Sequence, residues 1–208
     1  MTNSIIVIKG NYLNKVANIF ECFKYNDLDQ DKTFDNAMKF NEYLFDNYFE
    51  FANREIALRG IWFDNGWTII CDPEMVDTVD DEALLKLSKK LQSDVLTFII
   101  QTTSGSFGFA KFNKTKDRYF FSTDGEVSDN IGLPSTEEQG LNLNEKVFVD
   151  DILKLANNFG IDLEGKSSKS FIVKQLGYND EMKKELEQFK QAQTNQTTDT
   201  KKPWWKIW

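Results

Sequence analysis

The tripeptide Asp64-Asn65-Gly66 lies between two apolar runs and most constrains how this chain folds. An Asn-Gly pair accepts the positive φ angles of a tight turn, so it is a strong local signal for an antiparallel hairpin. The runs at residues 56–63 and 67–71 have the β-branched and aromatic content of strands. Asp72-Pro73 ends the second run, because proline lacks the N–H that a central strand donates. The sequence therefore predicts a β-hairpin over residues 56–71.

Other apolar stretches predict further strands. Three of them are separated by short polar turns and are typical of an antiparallel meander, at residues 95–101, 107–112 and 118–122. Short buried strands are also predicted at residues 5–8 and 171–176.

Helical periodicity precedes and follows these strands. It predicts helices at residues 11–25, 33–53, 78–92 and 145–159, and a polar helix at 180–191. Grouped antiparallel strands with helices around them indicate an α+β fold, in which a sheet of hairpin and meander strands packs with four to five helices. The intervening residues 26–32 are predicted to form a polar turn, and residues 123–144 a long loop.

The domain organisation follows from composition. We expect one α+β domain over residues 1–180, because this part of the chain contains all the strongly periodic segments. Residues 181–200 are predicted to be a polar helix and a flexible linker, and residues 201–208 form a tail of Trp and Lys.

The helix predicted at 33–53 carries a wide apolar face. At helical spacing this face contains Phe34, Met38, Phe45, Phe49 and Ala52. Leu44 and Phe51 widen it, so we expect it to be buried against more than one element.

The chain contains no histidine, which excludes most familiar catalytic equipment. Ser-His-Asp and Cys-His nucleophiles, His-ligated zinc and histidine general bases are all absent. The two cysteines, Cys22 and Cys71, form no CxxC pair and lie in apolar contexts, which favours buried free thiols over a disulfide between them. These features favour a non-enzymatic protein without a cofactor.

One acidic stretch imitates a calcium-binding loop. Asp27, Asp29 and Asp31 have the right alternation, but Lys32 occupies the position that needs glycine. Met38 stands where a bidentate glutamate is required. We therefore predict no metal site.

The charge of the chain limits its partners. The formal net charge is −8, and the tail contributes +3, so the remainder carries −11. An acidic body repels phosphate backbones, which argues against nucleic acid and favours a basic protein partner. Within the predicted long loop, Asp124, Glu126 and Asp129 are candidate partner-binding residues, because long loops on a rigid sheet often carry recognition.

The tail is the second candidate binding element. Trp204, Trp205 and Trp208 follow a polar stretch, and solvated tails rarely collect tryptophan. They could dock on a protein partner, dock on the acidic body of the same chain, or contact a membrane interface weakly and reversibly.

The sequence carries no targeting signal of the usual kinds. The apolar run at residues 5–8 lacks a preceding basic region and is too short for a signal peptide. No apolar run approaches the roughly 20 residues of a membrane-spanning helix. We therefore expect a cytoplasmic protein.

Four short motifs resemble bacterial toxin-immunity proteins. They are RGIWFDNGWT at residues 59–68, DPEM at 72–75, QTTSG at 101–105 and GEV at 125–127. The resemblance covers roughly residues 1–180. It implies an acidic α+β domain that binds a toxin, and it assigns no site residue.

The leading functional hypothesis is therefore an immunity protein that neutralises a cognate toxin. One alternative is a peripheral membrane adaptor anchored by the Trp/Lys tail. A further alternative is a carboxylate-dependent hydrolase that uses Asp124, Glu126 and Asp129.

Overall fold

A nine-stranded antiparallel sheet runs through the described part of the chain, in the strand order β2-β9-β3-β4-β1-β5-β6-β7-β8. The computed structural model describes residues 2–166, 168 and 170–199. The strands are β1 Thr2–Lys9, β2 Tyr25–Phe34, β3 Ile56–Asp64, β4 Trp67–Cys71, β5 Val95–Gln101, β6 Ser106–Phe112, β7 Lys116–Thr123, β8 Glu126–Ile131 and β9 Phe171–Tyr178. The α+β class expected from the sequence is confirmed.

The predicted hairpin and meander are both present. In the hairpin, Asp64 pairs with Trp67, and the two turn residues Asn65 and Gly66 have φ angles of 46° and 84°. Both angles are positive, as a tight hairpin turn requires. Strands β5, β6 and β7 pair in sequence order, and β8 adds a fourth strand at the edge.

Helices cover both faces of the sheet. They are α1 Val16–Phe20, α2 Ala37–Ala52, α3 Asp81–Leu91, α4 Val149–Asn158 and α5 Asp180–Asp199. Helices α2 and α4 bury side chains on one face, and α1 and α3 on the other. Successive residues of β1 point to opposite faces, so Ile5 and Val7 join one core while Ile6 and Ile8 join the other.

Three expectations about chain organisation need correction. Residues 26–32 are not a polar turn but part of the edge strand β2. Lys174 Nζ, on the neighbouring strand β9, forms ion pairs with Asp27 at 2.7 Å and with Asp31 at 2.8 Å. The helix expected at 11–25 is reduced to α1 with a short 3-10 turn on each side. Helix α5 continues to Asp199, through residues that were expected to form a linker.

Glycine at position 60 lets α2 approach the sheet closely. A Cβ at Gly60 would lie 2.8 Å from Phe40 Cε2 and 3.0 Å from Leu44 Cδ2, and closer still to Phe40 Cζ. Phe40 and Leu44 are the two fully buried side chains of α2. The absent side chain of Gly60 therefore sets the depth at which α2 packs on β3.

We expect Gly60→Ala to lower the free energy of unfolding by about 1–3 kcal/mol, because the added methyl group overpacks the core. Urea denaturation of the parent and the variant measures this. Phe40→Leu makes room for the methyl group. Gly60→Ala should therefore lower the free energy of unfolding less in a Phe40→Leu background than in the parent. An unchanged stability of Gly60→Ala would contradict the packing described here.

Candidate functional site

Part of the α2 face that the sequence predicted to be buried lies toward solvent instead. Met38 and Phe49 are 68% and 69% exposed, and Phe45 is half-buried. The buried side chains of α2 are those of Phe40 and Leu44, which are spaced i, i+4 and pack against Gly60. The expected burial of Met38 and Phe49 is therefore wrong, whereas Leu44, which the predicted face also included, is buried. The contact with β3 favours the side of the helix that carries Phe40 and Leu44.

Met38, Phe45 and Phe49, here called the α2 stripe, are apolar residues on the outer side of α2; Met38 and Phe49 are exposed, and Phe45 is half-buried and packs against the core. Spacings of seven and four residues place the three side chains along one side of the helix. The Phe45 ring lies 6.3 Å from that of Tyr48 in an edge-on arrangement, which braces the centre of the stripe. Exposed apolar patches of this kind, rimmed by polar residues, commonly mark protein-binding surfaces.

Carboxylates border the α2 stripe. Glu42, Asp46 and Glu50 are exposed on the same helix. Glu50 pairs with Arg54, whereas Glu42 and Asp46 pair with no cation in the part of the chain that the structure describes. The border of the stripe is therefore negatively charged, which complements a basic partner.

A cavity of about 310 Å³ opens beside α2 on the same face of the sheet. Asn41 lines it from the helix and lies between Met38 and Phe45 at i+3 and i−4 spacing. Ile5 and Cys71, which pair across β1 and β4, line it from the sheet, together with the aromatic residues Phe40, Trp62 and Phe171. Residues 163–166 provide a further wall.

On the other face of β3, Arg59 is fully buried and holds several segments together. Its Nε donates to Asp77 Oδ2 at 2.6 Å, and its Nη1 donates to Glu74 Oε2 at 2.5 Å. Its Nη2 donates to Tyr25 Oη at 3.0 Å, and Tyr25 in turn donates to Asp77 Oδ1 at 2.9 Å. One guanidinium thus connects β3 to β2 and to residues 72–78.

Asp72 completes this cluster and orders the turn that follows β4. Its Oδ2 accepts the backbone N–H groups of Asp77 at 2.8 Å and Thr78 at 3.3 Å, and its Oδ1 lies 3.4 Å from Arg59 Nη2. Arg59, Asp72 and Glu74 belong to the motifs at 59–68 and 72–75, but their spacing along the chain does not reveal that they meet. Since the cluster is closed by its own hydrogen bonds, we assign it a structural role.

Burial is the largest influence on the pKa values of Asp72 and Arg59 in this cluster. It raises the pKa of Asp72 to about 6, against the opposing attraction of Arg59, and the nearby Asp77 carboxylate adds to the rise. Burial alone would lower the pKa of Arg59, but Asp72 and Asp77 outweigh it and raise that pKa. The guanidinium therefore stays charged, while the pKa of Asp72 lies above that of an ordinary aspartate.

The predicted loop residues lie at the opposite edge of the sheet from β2. Asp124 and Gly125 form the turn between β7 and β8, with φ angles of 53° and 78°. Glu126 lies 3.7 Å from Lys146, whereas Asp129 accepts from Ser128 Oγ at 3.1 Å. Glu126 and Asp129 therefore contact different side chains in the described structure.

Residues 123–144 are therefore not a single long loop, which corrects the sequence prediction. Residues 126–131 form the edge strand β8, and Thr136–Glu138 form a 3-10 turn. An edge strand is partnered on one side only, and β8 inserts just Val127 against the core. Such a strand needs little apolar sequence, which explains why the pattern did not reveal it. Trp204, Trp205 and Trp208 lie outside the described residues.

Several absences concern only the part of the chain that the structure describes. There, no group of three or more His, Cys, Asp or Glu side chains is arranged to hold a metal ion. Among the same residues, no helix combines the length and apolar character needed to span a membrane. Cys22 and Cys71 are buried and form no disulfide.

Comparison with protein-family models, curated proteins and solved structures found no match.

The raised pKa of Asp72 makes stability depend on pH. The carboxyl group binds its proton more tightly in the folded than in the unfolded protein, where its pKa is about 3.9. The stability that protonated Asp72 contributes to the folded protein is therefore fully present below about pH 4 and is lost as pH rises through about 6. We expect ionisation of Asp72 to cost roughly 1–3 kcal/mol between these limits.

Urea denaturation at pH 4.5 and pH 7, for the parent and for Asp72→Asn, measures this contribution. The parent should lose more stability between the two pH values than the variant. Asp46→Asn, which removes an exposed carboxylate, serves as the matched control. An equal pH dependence of the parent and Asp72→Asn would contradict the assignment.

Proposed function

We propose that the protein is a non-enzymatic binding protein of the bacterial cytoplasm. More specifically, we propose an immunity protein that neutralises a cognate toxin through the α2 stripe. The observation that carries this proposal is the exposure of Met38 and Phe49 on a helix otherwise anchored to the sheet. The resemblance of the motifs at 59–68 and 72–75 to toxin-immunity proteins supports the same class.

Apolar and aromatic side chains on a rigid helix suit protein recognition. Aromatic anchors contribute strongly to binding when a partner covers them, and Met adapts to irregular surfaces. The α2 stripe supplies two phenylalanines and one methionine on a helix fixed by Phe40 and Leu44. A partner that covers the stripe would bury apolar area without first having to order the helix.

The charge of the body supports a basic partner. Outside the tail the chain carries −11, and Glu42 and Asp46 place part of that charge beside the stripe. Opposite charges on two proteins accelerate their encounter, and this acceleration weakens as salt increases. A toxin with a basic active site is the kind of partner that such a surface would occlude.

The edge formed by β8 is a second candidate surface. It carries Asp124, Glu126 and Asp129, and it continues into Ile131 and Leu133, which are 60% and 88% exposed. The α2 stripe is favoured because it has aromatic side chains on a helix packed against β3, whereas β8 lies at the rim of the sheet.

The two alternative functions receive less support. The hydrolase hypothesis needs convergent carboxylates, but Glu126 and Asp129 have different neighbours. The membrane-adaptor hypothesis rests on Trp204, Trp205 and Trp208, which the structure does not describe.

We expect Met38→Ser combined with Phe49→Ser to weaken toxin binding by about tenfold or more, since a binding hot spot contributes about 2 kcal/mol. The partner to be used is a purified candidate toxin, sought among the products of genes adjacent to this one, and calorimetry measures its affinity. Co-expression of both proteins tests whether the parent, and not the variant, protects cells. Both changed side chains are exposed, so the fold should be retained.

The matched control is Ile131→Ser combined with Leu133→Ser, which also removes two exposed apolar side chains. It should bind and protect like the parent. If it loses binding while the α2 variant retains it, the β8 edge is the binding surface. If the parent neither binds the toxin nor protects cells, the immunity proposal is wrong.

Charge reversal separates the two surfaces by kinetics. We expect Glu42→Lys with Asp46→Lys to slow association with the toxin more than Asp124→Lys with Glu126→Lys, most clearly at low salt. Stopped-flow measurements at several salt concentrations provide the rates. The opposite ranking would mean that the edge of β8, and not α2, attracts the toxin electrostatically.

A further inference from the structure

The sheet face that α1 and α3 cover stays partly open over β5 to β8. Two rows of paired residues cross this part of the sheet, Thr97-Ala110-Tyr119-Ile131 and Ile99-Gly108-Phe121-Asp129. Both rows lie on the α3 side, because Ala110 and Tyr119 join the core beneath α1 and α3, and residues two apart in a strand share a face. Phe121 is only half-buried and Ile131 is exposed, so apolar surface remains open beside α3.

This open part contains a groove with Gly108 as its floor. A Cβ at Gly108 would lie 2.9 Å from Phe121 Cδ2 and 3.5 Å from Ile99 Cβ, so the Phe121 ring leans across a space that any side chain would fill. A cavity of about 200 Å³ opens here, and the exposed side chain of Val79 lines it from the α3 side. The groove formed by these four residues and Tyr119, with Ile131 at its β8 side, is here called the Gly108 groove.

Carboxylates stand on both sides of the Gly108 groove. On the α3 side, Asp81 pairs with Lys116 Nζ at 2.6 Å, and this ammonium lies 3.7 Å from the centroid of the Tyr119 ring. On the β8 side, Asp129 accepts from the Ser128 hydroxyl and pairs with no cation in the described part of the chain. Burial raises the pKa of Tyr119, and the charges of Asp129 and Asp81 raise it further. The groove therefore offers aromatic surface next to a carboxylate that lacks a cation.

An occupant that fits this groove combines aromatic side chains with positive charge. Residues 201–208 have this composition, because they contain three tryptophans and three lysines among eight residues. Tryptophan rings can pack on the apolar floor, while a lysine ammonium donates to Asp129. The tail carries +3 and the rest of the chain −11, so the charges of the two parts attract each other.

Helix α5 leads toward the tail from the same side of the sheet. Met182 of α5 packs against the core beneath α1 and α3, and Glu181 lines a small cavity together with Asp80 and Glu82 at the start of α3. Helix α5 thus begins beside the end of α3 that borders the Gly108 groove. Its 20 residues span about 30 Å. The nine residues 200–208 also reach about 30 Å when extended, which is enough to return over the length of α5.

We propose that residues 201–208 dock in the Gly108 groove of the same chain, with tryptophan rings over Phe121 and Ile131 and a lysine beside Asp129. Docking removes apolar surface of the groove and of the tryptophans from water together. The groove and the α2 stripe lie on opposite faces of the sheet. The proposal therefore does not rest on the proposed function, and a docked tail leaves α2 free.

Acrylamide quenching of tryptophan fluorescence in the full chain tests this contact. Trp62 and Trp67 are 3% and 8% exposed, so the quenching reports mainly the three tryptophans of the tail. The parent should be quenched weakly. Ile131→Ser combined with Asp129→Lys should raise the quenching constant severalfold, because it removes apolar contact and reverses the charge beside the groove.

The matched control is Met38→Ser combined with Asp46→Lys, which makes the same kinds of change on α2. It should keep the quenching constant of the parent. Circular dichroism checks that both variants fold. If the groove variant does not fold, Ile131→Ser alone makes the same test, because this side chain is exposed.

Four results would overturn the proposal. Equal quenching of the parent and the groove variant would mean that the tail does not contact the groove. Stronger quenching in the α2 variant than in the groove variant would place the tail on α2. Protection that increases with protein concentration would assign the groove to the tail of a second copy. Protection that requires vesicles of phosphatidylglycerol and phosphatidylcholine would assign the tail to a membrane.

Discussion

The buried guanidinium of Arg59 is the interaction on which the arrangement of this fold depends most. It contacts Asp77, Glu74 and Tyr25 on one face of β3, and so it fixes β2 and residues 72–78 relative to the central strands. Removing one partner from a buried charged group costs about 3–5 kcal/mol, because the remaining charges stay buried and unpaired. Side chains alternate along β3, so Gly60 and Trp62 belong to the opposite face. Strand β3, which Arg59 fixes, is therefore also the strand against which Phe40 of α2 packs.

Sequence patterns predicted the parts of the fold that local chemistry determines. Asn65-Gly66 defined the β3–β4 hairpin, and helical periodicity identified α3, whose first turn Asp80 caps by accepting from Ala83 N–H. Edge strands β2 and β8 escaped prediction because an edge strand needs few buried side chains. In β2, the apparent calcium-like spacing of Asp27 and Asp31 instead serves to pair with Lys174. That pairing requires β9, which lies more than a hundred residues away.

The candidate site was less predictable than the fold. The amphipathic pattern identified α2 as a helix, but it could not tell which of two apolar sides would pack. That choice depends on the space above Gly60, which only the paired sheet creates. The same contact that buries Phe40 leaves Met38 and Phe49 outside and opens the cavity near Asn41. Surface and cavity are thus two consequences of how α2 packs.

The central functional claim is that a toxin covers the α2 stripe. Hydroxyl-radical footprinting of the free protein and of its complex with a candidate toxin tests this most directly, since exposed Met and Phe side chains are readily oxidised. The account predicts that oxidation of Met38 and Phe49 slows strongly in the complex, while Leu133 near the β8 edge reacts at its free rate. Unchanged oxidation of Met38 and Phe49 in a saturated complex would contradict it.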